Sequence, residues 1–148
     1  MKRKVVKGSI KINLKNVKKK EIKLLTNGIR VVVERNGAPG ICPHCKTPST
    51  RVYEYRKQII FDKPHKDKKI ELELNKRRFV CVNPSCPVKT FTEEFPGLND
   101  TKRCTVEFEK FVKRLIHKQG YLMTHRILKN KYNLKLSPST LFYWKHRK

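Results

Sequence analysis

The sequence predicts an α+β chain in which an N-terminal β-hairpin and a cysteine-bearing β-ribbon precede a unit of three short helices. Three observations carry that prediction. Two strand-like runs flank Asn27-Gly28, four of the cysteines fall into two close pairs, and beyond residue 104 the apolar spacing changes from alternate residues to the helical period.

Taken in order, residues 1–16 hold six Lys or Arg, no acid and little apolar pattern beyond Ile10, Ile12 and Leu14, and are read as a mobile basic arm. Residues 17–40 read as a hairpin: KKKEIKLLT and IRVVVER are separated by Asn27-Gly28, a pair suited to a type I′ turn with positive φ at both central residues. Over residues 41–96, Tyr53, Tyr55 and Ile59-Ile60-Phe61 mark one strand, and Asp62 to Asp67 a polar connection. Ile70, Leu72 and Leu74 then alternate with Glu71 and Glu73, as in a half-buried strand that continues to Cys81. Near Lys76-Arg77-Arg78 the inward parity passes to Phe79 and Cys81.

Within residues 105–148, Phe108, Phe111, Val112, Leu115 and Ile116 form a helical stripe, with Thr105 suited to the N-cap and Gly120 to the residue past the C-terminus. A second helix is expected from about Met123 to Tyr132, and a third from Ser137, with Pro138 at its first position and Leu141 and Trp144 on its buried side.

Composition narrows the partner. The 148 residues carry 37 Lys and Arg against 12 Asp and Glu, a formal charge of +25 that repels itself in the compact state and favours a polyanionic partner. The excess is +10 over residues 1–40, +6 over 41–104 and +9 over 105–148, so both ends are the most basic. No apolar run reaches the roughly 20 residues that span a bilayer, and a cytoplasmic, nucleoid-associated protein without a membrane partner is expected.

In a reducing compartment five cysteines read as thiols or metal ligands. Cys42-x2-Cys45 and Cys81-x4-Cys86 each sit in a turn-forming context, Pro43 in one and Asn83-Pro84-Ser85 in the other. Short turns aim two thiolates to one side of the backbone, so two of them complete a tetrahedral four-cysteine zinc site. An all-thiolate set is closed and structural, whereas catalytic zinc keeps an open position. Four unrelated thiols, a redox dithiol or an iron–sulfur cluster fit less well. His44 and His65 are expected in solvent, and Cys104 is expected to be a plain thiol.

The three helices suggest a helix-turn-helix whose third helix turns a polar face toward a duplex. Ser139, Thr140, Tyr143 and Arg147 are the candidate DNA-facing residues, Lys145 and Lys148 lie nearer the phosphates, and Arg77 and Arg78 are further candidates on the ribbon.

The stretches CPHCKTPSTRVYEYR and KRRFVCVNPSCPVKTFTEEFPGL, followed by that helical segment, resemble the N-terminal region of the ISL-three family of insertion-sequence transposases over roughly residues 17–148. The resemblance implies a zinc-dependent head that recognises the terminal inverted repeats of a transposon, with Cys42, Cys45, Cys81 and Cys86 as its zinc ligands. In that family such a head precedes an Asp-Asp-Glu catalytic domain. No counterpart of that domain is recognisable in these residues, so no enzymatic activity is expected, and a homodimer or a separate catalytic subunit would be the partner in transposition. An operator-binding transcriptional regulator and an RNA- or ribosome-associated zinc ribbon are the alternatives.

Overall fold

The structure is a computed structural model and describes residues 11–99 and 102–146. Seven strands are followed by three helices: β1 (Val17–Leu25), β2 (Gly28–Arg35), β3 (Gly40–Ile41), β4 (Pro48–Ser49), β5 (Val52–His65), β6 (Lys68–Val80), β7 (Thr90–Thr92), α1 (Val106–Gln119), α2 (Tyr121–Tyr132) and α3 (Pro138–His146). The main sheet runs β1-β2-β6-β5, and β7 pairs with the far end of β6, while β3 and β4 form a separate two-stranded ribbon.

The hairpin strands β1 and β2 thus share one sheet with the long strands β5 and β6. β2 lies parallel to β6, which sets Ile29, Val31 and Val33 beside Ile70, Leu72 and Leu74, and Ile60 of antiparallel β5 flanks Leu72 from the other side. Leu14 and Phe95 join this buried layer. Here the expected arm differs, since Leu14 is 7% exposed and Asn13 donates from both its backbone N and its Nδ2 to the Asp62 carboxylate. Residues 1–10 lie outside the described residues.

The first hairpin forms where expected, but not by the expected turn. Leu25 pairs with Gly28, so Thr26 and Asn27 are central, and neither has positive φ. Gly28 is needed for a different reason: a Cβ there would strike the carbonyl and side chain of Lys69 on β6. Positive φ at both central residues occurs instead at Lys66 (48°) and Asp67 (63°), between the paired His65 and Lys68. The polar connection expected from Asp62 to Asp67 is therefore mostly strand, and His65 is half-buried within it. Pro64 fits because β5 is an edge strand and its register is irregular between Asp62 and His65.

Parity along β6 inverts as the sequence indicates, without a bulge in β6 itself. Ile70, Leu72 and Leu74 serve the main core, whereas Phe79 is fully buried in a second core with Cys42, Cys86 and Phe91. The irregularity sits in the partner strand, between Val52 and Glu54. Glu71 and Glu73, on the face opposite Leu72, are buried against Arg30, Lys69 and Lys23.

The helices form a third core around Phe108, Val112, Leu128, Leu141 and Trp144, to which Cys104 belongs. Thr105 caps α1 by accepting from the Phe108 N–H, and Gly120, at φ 81°, closes its other end. α2 begins two residues earlier than expected, and Ser137 Oγ accepts from the Thr140 N–H at the start of α3. This unit is fastened to the sheet. Phe61 donates its N–H to the Arg103 carbonyl and accepts the Thr105 N–H, and its ring lies 5.9 Å from that of Phe108. Among the described residues no helix is long and apolar enough to cross a membrane.

Candidate metal centre and its surroundings

Each cysteine pair is shaped by local backbone bonds. In the first, Lys46 N–H reaches the Cys42 carbonyl, Cys42 N–H reaches the Thr47 carbonyl, and Lys46 takes a left-handed φ of 61°, so the chain turns back within six residues. In the second, Asn83 Oδ1 accepts the Ser85 N–H and the Asn83 carbonyl accepts that of Cys86, while Cys81 N–H is tied to Lys89. The two knuckles meet because β3 and β4 lie over the end of β6. Gly40 faces the Phe79 ring so closely that no Cβ fits, and Ser49 Oγ donates to the Val80 carbonyl over 2.6 Å.

The four Sγ atoms lie within 4.8 Å of one another. Cys42 and Cys86 are 3.9 Å apart and Cys45 and Cys81 3.6 Å, against the about 3.8 Å edge of a tetrahedron with Zn–S bonds near 2.3 Å. The donor set therefore fits zinc in both number and spacing. Hydrogen bonds from Thr47 push the Cys45 thiol down to about 5, whereas burial pushes Cys86 up to about 12. Thr47, whose Oγ1 is 3.2 Å from Cys45 Sγ, is a supporting residue the sequence did not single out. His44 is exposed as expected and outside the four-sulfur cluster, yet its Nδ1 lies 3.6 Å from Cys86 Sγ.

Residues 38–86 match the family model described as the zinc-finger of transposase IS204/IS1001/IS1096/IS1165. No curated protein and no solved structure matches the chain. The matched segment contains all four clustered cysteines, and together the geometry and the match assign a structural zinc ion to this ribbon. Its thiolates would hold the metal on all sides, tying the β3–β4 ribbon to the end of β6.

The other candidate residues separate into groups. Arg77 is enclosed: its Nε and Nη2 donate to Glu93, which is 5% exposed, its backbone N–H reaches the same carboxylate, and its guanidinium lies 4.8 Å over the Phe79 ring. Arg78 donates to Glu54 and to Thr90 Oγ1. Both guanidinium groups thus have partners within the ribbon. Ser139, Tyr143 and Lys145 are exposed on α3, Thr140 is half-buried with its hydroxyl 2.9 Å from Ser137 Oγ, and Arg147 and Lys148 lie outside the described residues. Phe142, not singled out in the sequence, is 50% exposed and packs edge-on against Tyr121.

The Arg77–Glu93 pair has a measurable consequence. Glu93→Ala leaves a desolvated guanidinium without its carboxylate, and about 3–5 kcal/mol of stability should be lost. Glu54→Ala removes a more exposed, solvent-screened pair and should cost far less. Urea unfolding of the zinc-loaded variants compares the two, and equal losses would show that Glu93 is not a buried partner.

Proposed function

We propose that the chain binds double-stranded DNA as the end-recognising part of a transposition complex, with the zinc ribbon as scaffold and α2–α3 as a helix-turn-helix that presents α3 to the duplex. The observation that carries this reading is the match of residues 38–86 to a transposase zinc-finger, coincident with the four-sulfur cluster. Two further features support it. α3 keeps Leu141 and Trp144 buried while Ser139, Phe142, Tyr143 and Lys145 are exposed, and beyond Glu109 the sequence contains no Asp or Glu. Terminal inverted repeats are the proposed target and catalysis is assigned to a partner, since the proposed role of this chain is binding alone.

Selection of bound sequences from a random duplex pool by the zinc-loaded chain tests the reading. An enriched motif is expected, with affinity falling in salt by a log–log slope of about −0.9 per phosphate contacted. Ser139→Ala should weaken the enriched site more than a scrambled duplex, because base contacts carry sequence information and phosphate contacts do not. Preference for structured RNA over every duplex in competition would replace this reading with the RNA-associated one.

A further inference from the structure

Between the N-terminal end of α3 and the edge of the sheet lies an open groove of about 720 Å³. Its floor is apolar and includes Phe61 and Trp144, while its walls bring together Arg103, Lys135, Ser137, Ser139, Thr140 and Tyr143. These come from three places in the chain: the connector before α1, the turn between α2 and α3, and α3 itself. No acidic side chain lines it among the described residues.

Both cations stand on fixed backbone. The Arg103 carbonyl accepts the Phe61 N–H, its own N–H reaches Asn99 Oδ1, and the adjoining Cys104 is bridged to Phe61 and buried. Lys135 is held from both sides, by Leu134 in the helical core and by Leu136, whose carbonyl accepts from His125 Nδ1 at 2.7 Å. Both side chains are nonetheless exposed. The two positioned cations, with the hydroxyls of Ser137 and Thr140 at the start of α3, form a donor-rich wall without a carboxylate, which is the complement of a phosphodiester and not of a cation or a second basic surface.

We infer that this groove receives the sugar–phosphate backbone of the duplex contacted by α3, with Arg103 and Lys135 as phosphate-contacting residues on its two walls. The inference rests on the DNA-binding reading above and extends it from the helices to the sheet: the connector that fastens α1 to β5 supplies one side of the nucleic-acid site. Arg103 is placed by its pairing with Phe61, so the contact is set by the junction between sheet and helices.

Duplex binding by zinc-loaded Arg103→Gln, Lys135→Gln and the double variant, measured over a salt series, tests this. Each change should weaken binding roughly fivefold to tenfold at low salt, equally on enriched and scrambled duplexes, and make the log–log salt slope shallower by about 0.9. Arg103→Lys should restore the slope, and Arg51→Ala, an exposed charge at the zinc end of the sheet, should leave it unchanged. Thermal melts of all variants should match the parent, because both side chains are exposed. If the unaltered chain binds no duplex, the reading of function fails and this groove fails as a duplex contact with it. If the unaltered chain binds while the double variant keeps its affinity and slope, the groove alone is overturned.

Discussion

Stripping the chain of zinc, or changing Cys81 to Ser, should open the ribbon end of the molecule while the helices and the main sheet core persist. β3 and β4 are two residues each, and the core beneath them holds only Phe79 and Phe91 as large buried side chains. So short a ribbon is not stable alone. A structural zinc contributes on the order of 10 kcal/mol to the folding of such units, far more than one stacked Phe pair supplies. Ile70, Leu72 and Leu74 bury on the opposite face of β6 against β2 and β5, and the helical core is separate again. Hydrogen exchange should therefore accelerate over residues 38–52 and 79–92, with protection retained around Leu72 and along α1. Lowered pH should act in the same direction, because protons compete with the metal for sulfur. Unchanged protection at residues 40–49 after chelation would disprove the assignment of this ribbon to zinc.

Asp62 should, together with Glu93, be among the costliest polar residues to replace outside the zinc site. It is 1% exposed, and its carboxylate accepts from Asn13 N and Nδ2, Lys63 N and Thr105 Oγ1. Thr105 Oγ1 in turn accepts the Phe108 N–H, so one carboxylate ties the segment before β1, the edge strand and the first turn of α1. Asp62→Ala strands several buried donors, each worth about 1–3 kcal/mol when left unmade, and a total near 3–5 kcal/mol is expected. Asp62→Asn should recover part of this, since one side-chain oxygen still accepts. Leu14 should become accessible and α1 should fray from its N-terminus, which proteolysis and exchange at residues 11–16 and 105–109 would report. A melting temperature within two degrees of the parent for Asp62→Ala would contradict the role given to this carboxylate.

What was legible in the sequence was local. The cysteine pairs declare themselves because a turn and two thiols suffice to specify a knuckle, and Thr105, Gly120 and Ser137 mark helix ends through bonds that span three or four residues. The inversion of parity at Phe79 was visible for the same reason. What stayed hidden depends on partners distant in sequence. Asn27-Gly28 suggested a particular turn, but the glycine answers to Lys69 on another strand, and the two-residue turn with positive φ falls at Lys66-Asp67, where composition says little. Leu14 looked like part of a basic arm until the layer it covers was known. Arg77 looked available for a polyanion because its enclosing partner, Glu93, lies 16 residues away on the next segment.

The parallel pairing of β2 with β6 closes the path between the paired Val33 and Leu74, which contains the first knuckle, and the second knuckle begins just past Leu74, at Cys81. With the four thiolates joined, that path contracts from roughly 40 residues to about 16, through the first knuckle and back along the end of β6, and the entropy of closing it falls by on the order of 1 kcal/mol. The ribbon thus favours a strand pairing that it does not touch. Its contribution to the sheet is topological, made by shortening the chain that must be gathered before β2 can settle against β6.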